Sequence, residues 1–145
     1  MNVFFDTTVL VAASSQSHPQ HGQAFPALRR VAIRQDVGFI STHSIAELYA
    51  ALTRLPVEPR IHPVEAARIV TENIVPHFEA VPVDKEDYLD AMNTVKNGGW
   101  RGAKIYDAII LRCAAKCRLD RLYTFNLKDF NLLAPESLQG KICAP

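Results

Sequence analysis

Short apolar runs that alternate with longer stretches of helical period are what most restrict the folds open to this chain. Val3-Phe4-Phe5 stops at Asp6, as a buried strand does. Val37-Gly38-Phe39-Ile40-Ser41, Ala80-Val81-Pro82-Val83 and Arg121-Leu122-Tyr123-Thr124-Phe125 read as further strands, with Lys141-Ile142-Cys143 as a last one. The proline in the third run places that strand at the periphery. Between these runs the spacing predicts helices over Thr8–Ala13, Gln23–Gln35, Ser44–Leu55, Val64–Val75, Asp84–Lys96 and Ile105–Cys117. In the second of these, Phe25, Leu28, Ala32 and Ile33 form the apolar side. Pro56 to Pro63 reads as a connector and Asn97 to Gly102 as a flexible loop. Strands separated by helices need crossover connections, so the fold class is α/β, a mostly parallel sheet with helices on both faces. In such sheets the functional site lies beyond the carboxyl ends of the strands, near the switch in strand order.

A chain of 145 residues buries about two-thirds of the surface it exposes when unfolded, so neither a disulfide nor a structural metal is needed. The expectation is one domain over residues 1–145. Sixteen Lys and Arg against fifteen Asp and Glu leave a net charge of +1, which excludes a polybasic tail and a highly charged disordered chain. A nucleic-acid substrate stays open, because charge can be segregated within a neutral total. No run approaches the about 18 apolar residues of a membrane span, so no membrane partner is expected. The first six residues lack the basic-then-apolar order of a secretory leader. Cys113, Cys117 and Cys143 are an odd count without a disulfide pattern, and the expected compartment is a reducing cytoplasm. Cys113 and Cys117, four apart in a helix, are either metal ligands or small core side chains. The absence of a second pair at matching spacing favours the core reading.

Four acids fall where the sheet rule points. Asp6 follows the first strand, Glu47 lies in the helix after the second, Asp107 begins the helix after the glycine loop, and Asp129 follows the Tyr123-Thr124-Phe125 strand. Crowded carboxylates repel, which raises the pKa of at least one of them. A hard divalent cation resolves the repulsion, and all-oxygen ligation points to Mg²⁺ or Mn²⁺ rather than zinc. The five histidines form no ligand pair. Each acid also has a local explanation. Asp6 could cap the following helix, Ser44-Ile45-Ala46-Glu47 fits the capping box S-x-x-E, Asp107 could answer a helix dipole, and Asp129 could be a turn residue.

The segments Phe4-Phe5-Asp6-Thr7-Thr8-Val9-Leu10, Ser44-Ile45-Ala46-Glu47-Leu48, Ile105-Tyr106-Asp107-Ala108-Ile109-Ile110-Leu111 and Leu122-Tyr123-Thr124-Phe125-Asn126-Leu127-Lys128-Asp129-Phe130 resemble the four motifs of PIN-domain ribonucleases. Their order, their spacing and the chain length are most similar to the VapC-type toxins of toxin–antitoxin pairs, and the resemblance runs from residue 3 to about residue 143. It implies a PIN-like three-layer sandwich and makes Asp6, Glu47 and Asp107 the core metal ligands, with Asp129 assisting directly or through water. Thr7, Thr124 and Asn126 match the polar positions that orient the carboxylates. Some members of the family carry an acid where this chain has Asn126, and others have Asn there with the acid three residues on, as here. That departure leaves the number of metals, one or two, open.

The resemblance further implies Mg²⁺-dependent endonucleolytic cleavage of RNA to a 5′-phosphate and a 3′-hydroxyl, with Mn²⁺ as substitute. It also implies a homodimer and a cognate antitoxin that inserts a segment into the acidic groove. Arg101, Lys104 and Lys128 are the candidate contacts to substrate phosphates, each otherwise a solvated charge. Trp100 either stacks on an unpaired base or packs under the loop or at a dimer contact. The Ile45/Leu48/Tyr49/Leu52/Leu55 stripe reads as core. Two alternatives stay open: a housekeeping PIN nuclease that processes RNA without an antitoxin, and a PIN-like binding module without catalysis. A small upstream reading frame for a DNA-binding antitoxin would separate the first from a toxin, and the complete set of acids argues against the second. A phosphatase or flavodoxin-like receiver is disfavoured, because no glycine loop able to cradle phosphate follows the first strand.

Overall fold

In the computed structural model, which describes residues 1–145, five parallel strands form one sheet. In chain order they are β1 (Asn2–Phe5), β2 (Val37–Ser41), β3 (Phe78–Val81), β4 (Arg121–Tyr123) and β5 (Ile142–Cys143). The spatial order is β3-β2-β1-β4-β5. The chain builds outward from β1 to β3, then returns to lay β4 on the other side of β1. The switch in strand order therefore falls at β1, and Asp6 is the first residue past its end.

Seven α-helices cover the sheet: α1 (Thr7–Ser14), α2 (His21–Ala32), α3 (Thr42–Arg54), α4 (Pro63–Arg68), α5 (Lys85–Asn97), α6 (Lys104–Ala115) and α7 (Leu127–Leu133). The period of two along β1 assigns them to layers. Val3 and Phe5 point into a core shared with Leu10, Leu28, Leu48 and Leu52 of α1 to α3. Phe4 points the other way, into a core with Ala91, Ile109, Ile110, Leu111 and Phe130 of α5 to α7. Both faces of β1 are sealed, which is why this strand reads as an unbroken apolar run. The result is the three-layer α/β sandwich expected, with every strand pairing parallel.

Several elements depart from the expectation. On α2 the buried residues are Ala24, Ala27, Leu28 and Val31, while Phe25 and Ile33 are 45% and 61% exposed. Small alanines let α2 pack close to α1, so the buried stripe is set by the smallest side chains rather than the largest, and Phe25 lies outside, stacked on His21. The segment after α4 continues as a π-helical stretch, Ile69–Ile74, and a 3₁₀ turn, Val75–His77, instead of one α-helix to Val75. That winding keeps Val70 and Ile74 buried. The short helix α7 arises where the sequence offers too few turns to show a period. β4 ends at Tyr123, which leaves Thr124 to Asn126 free to bend across the sheet edge. β3 lies at the edge of the sheet but runs two residues earlier than the sequence reading, so Pro82 follows the strand instead of lying within it.

Within β2, Gly38 is set by close packing. A Cβ there would lie 2.6 Å from Val31 Cγ1 and 2.7 Å from the Phe78 ring. Gly38→Ala is therefore expected to destabilise by about 1–3 kcal/mol through overpacking. The fall in melting temperature should be about 3–10 °C. An unchanged melting temperature would show that Val31 and Phe78 give way freely.

Candidate active site

The carboxyl edge of the sheet gathers the four acids from four elements. Asp6 ends β1, where its backbone N–H donates to the Tyr123 carbonyl at 2.9 Å. It holds the N-cap position of α1 but makes no capping hydrogen bond. Its Oδ2 instead accepts from Thr8 Oγ1 at 2.5 Å and Thr124 Oγ1 at 2.8 Å. Glu47 lies in the second turn of α3. The cap of that helix is Ser41, whose Oγ accepts from the Ser44 N–H. Ser44 is thus inside the helix and the capping-box reading does not hold, so Glu47 is free to face the site. Glu47 Oε2 accepts from Thr7 Oγ1 at 2.8 Å.

Asp107, in the first turn of α6, accepts at Oδ2 from Asn126 Nδ2 at 2.9 Å, and the same amide donates to Asp129 Oδ2 at 3.2 Å. An amide nitrogen carries two hydrogens, so Asn126 clamps two carboxylates without bringing a charge. Thr7, Thr124 and Asn126, the three polar residues singled out from the sequence, therefore each hydrogen-bond an acid. Thr8 does so as well and was not foreseen.

The electrostatics follow from this arrangement. Asp6 is 2% exposed. Burial raises its pKa, against the pull of the Thr8 and Thr124 hydroxyls. Asp107 is pushed up to about 7, by burial first and then by the charges of Asp6, Asp129 and Glu47. Asp129 is held below the usual carboxylate range by its hydrogen bond from Lys104 and by Asn126. Lys104, expected at the substrate, is thus committed to Asp129 as an ion pair. No Lys or Arg pairs with Asp6, Glu47 or Asp107. The acids do not form a closed cage: no three His, Cys, Asp or Glu side chains converge closely enough to hold an ion as they stand. Their donor chemistry still suits a hard cation, because all are carboxylates and the Oδ1 atoms of Asp6 and Asp107 accept no side-chain hydrogen bond.

A cavity of about 1030 Å³ opens beside these acids, with Asp6, Glu47, Asp107 and Asn126 in its wall. Arg101, Lys104 and Lys128 do not line it, whereas Arg54, His43 and Tyr106 do. A signal for two of these was present: His43, Glu47 and Arg54 are spaced by four and seven residues, which is one face of a helix. Ala46 and Ala50 on that face leave the groove open. Trp100 packs under the glycine loop, where a Cβ on Gly98 would meet its indole at 2.4 Å. Cys113 is buried, its thiol pushed up to about 11 chiefly by burial, and neither it nor Cys117 belongs to a metal-binding group.

The sequence matches the PIN domain family over residues 3–134. Ribonuclease VapC27 of Mycobacterium tuberculosis is 28% identical over 117 residues, 79% of this chain and 78% of that protein. Among solved structures, Mycobacterium tuberculosis VapC20, described as a Sarcin-Ricin loop cleaving toxin, superposes with a TM-score of 0.66 at 20% identity, over 88% of this chain and 92% of that one. VapBC2 from Rickettsia felis, bound to a promoter DNA fragment, gives 0.61 at 18% identity, over 91% and 92% of the two chains. FitAcB from Neisseria gonorrhoeae gives 0.64 at 18%, over 90% and 92%. At these identities the structural likeness establishes the fold.

The raised Asp107 makes a stability prediction. Its folded pKa of about 7 exceeds the ordinary 3.8. Between those values the folded state keeps a proton that the unfolded state has shed, so stability falls as pH rises through this window and the full penalty applies above it. Asp107→Asn keeps an oxygen for Asn126 and removes the charge. In EDTA at pH 8 its melting temperature should exceed the parent's by about 3–6 °C, for a solvent-screened penalty of about 1–2 kcal/mol. The gap should close near the pH of ordinary carboxylate titration. Equal melting curves at pH 8 would show that Asp107 is not strained by its neighbours.

Proposed function

The chain belongs to the PIN domain family, and on that premise we propose that it is a divalent-cation-dependent endoribonuclease, the toxin of a toxin–antitoxin pair. One observation carries this reading: three carboxylates at the switch point, held in place by neutral hydroxyl and amide donors, with no lysine or arginine to offset them. An ordinary structural cluster would be paired with cations, because buried charge left uncompensated is costly.

In this reading Asp6, Glu47 and Asp107 hold Mg²⁺ or Mn²⁺, and Asp129 assists directly or through water. When bound, such a cation acidifies water and offsets charge developing on the phosphoryl oxygens. The hydrogen bonds from Thr7, Thr124 and Asn126 fix which oxygen of each carboxylate is held by the protein and which remains available. Arg54, in the cavity wall and free of any ion pair, suits a substrate phosphate. Arg101 and Lys128 are exposed and can reach RNA from outside the cavity, while Lys104 would have to leave Asp129 first. RNA as substrate is supported by relatives described as a ribonuclease and as a toxin that cleaves the Sarcin-Ricin loop. The VapBC2 and FitAcB structures support a cognate antitoxin. A homodimer belongs to the same proposal, and the exposed Leu89 and Met92 on α5 are apolar side chains available for pairing. No helix is long and apolar enough to cross a membrane; we place the activity in the cytoplasm, as a single nuclease domain over residues 1–145.

Purified protein should cut a cellular RNA pool into discrete fragments with Mg²⁺ or Mn²⁺ and leave it intact in EDTA. Asp6→Asn should lower the rate by about 100-fold or more, beyond the about 10–100-fold typical of losing a residue that only orients a ligand. Metal-independent cleavage, or cleavage by Asp6→Asn at the parent rate, contradicts the proposal. Thr7→Val preserves shape but removes the hydrogen bond to Glu47. The metal concentration for half-maximal activity should rise by about 10–100-fold, and a metal titration of the cleavage rate checks this.

A further inference from the structure

Beside the carboxylates lies a group of rings for which the cleavage chemistry has no use. Tyr106 immediately precedes Asp107, lines the cavity and is 46% exposed, although Ala108, Ile109, Ile110 and Leu111 just beyond are buried. Its hydroxyl makes no hydrogen bond within the protein, so no polar contact explains its position. The His43 ring of α3 lies parallel to it, with centroids 5.5 Å apart and planes at 14°. Tyr88 of α5 meets His43 edge-on at 6.4 Å and 81°. His43 Nε2 is buried without a hydrogen-bond partner, 3.7 Å from Glu47 Oε1. Aromatic packing therefore sets the orientation of His43, and His43 in turn supports one face of Tyr106. Three helices thus hold a single tyrosine ring at the rim of the acidic site.

Extending the nuclease reading, on which this inference rests, we propose that Tyr106 is the stacking platform for an unpaired RNA base next to the phosphate to be cleaved, with His43 as its backing. Unpaired bases are recognised by stacking on aromatic side chains. The ring next to Asp107 fixes where such a base must lie relative to the carboxylates. A ring already braced by its neighbours loses little freedom when a base covers it, which favours binding. The other cavity aromatic on this side, Phe125, is partly buried against the core and offers less surface. A stacking platform carries no hydrogen-bond code, so Tyr106 selects for single-stranded RNA at this position and tolerates every base. Bases inside a duplex have both faces covered and cannot use it.

The test compares parent, Tyr106→Phe, Tyr106→Leu and Tyr106→Ala on a short randomised single-stranded oligoribonucleotide that carries 2-aminopurine, whose fluorescence is quenched on stacking. Binding is followed in EDTA and cleavage with Mn²⁺. Tyr106→Ala and Tyr106→Leu should weaken binding and raise KM by about 5- to 100-fold, the range of one lost base stack. Both should lose the quench, with a much smaller change in kcat. Tyr106→Phe should restore KM and quench together, which a purely apolar or structural role would not require of Phe over Leu. If Tyr106→Ala keeps the parent's KM and quench, the platform is overturned while the nuclease reading stands. If the parent shows the Tyr106-dependent quench but no variant or parent cleaves RNA, the stacking role is supported and the nuclease reading falls.

Discussion

Uncompensated negative charge at the carboxyl edge of the sheet is the constraint on which the rest of this protein turns. Asp6, Glu47 and Asp107 repel one another, and the neighbouring lysine is spent on Asp129. What keeps the three in place is a set of neutral donors, Thr7, Thr8, Thr124 and Asn126, which orient the acids without neutralising them. A lysine in any of these positions would relieve the repulsion and remove the site's affinity for a cation. The strain is visible in Asp107, which holds its proton up to about pH 7.

The fold supplies the rigidity that such strain demands. β1 is buried on both faces and paired on both sides, so Asp6 projects from the central strand of the sheet. Thr124 reaches it because β4 lies next to β1 and ends level with it, Tyr123 opposite Phe5, while Asn126, two residues on, reaches Asp107. Glu47 and Asp107 come from helices on opposite faces, each anchored by its own apolar core. The site is thus the seam of the two halves of the sandwich, and packing on both sides sets the distances between its charges.

Much of this was legible in the residues. The sealed run Val3-Phe4-Phe5 stopping at Asp6 announces a central strand and the place of its acid, and Thr7, Thr124 and Asn126 meet the carboxylates as their motif positions imply. Other features were hidden for identifiable reasons. Two serines three apart, Ser41 and Ser44, both look like caps, and only the end of β2 decides for Ser41. The buried side of α2 follows its alanines because helix–helix approach rewards small side chains, a preference that a search for large apolar residues inverts. Lys104 looked free for substrate because its partner, Asp129, is twenty-five residues away. Arg54 escaped notice because it lies outside the four motifs, although it shares a helical face with Glu47, and Tyr106 stood within the third motif without a role of its own.

The central claim is that the three carboxylates form a cation site, and crystals soaked in Mn²⁺ address it directly through the anomalous scattering of manganese. The account predicts a peak among Asp6, Glu47 and Asp107 in the parent protein, absent from crystals of Asp107→Asn treated in the same way. No peak at saturating Mn²⁺, or a peak remote from these three side chains, would contradict it.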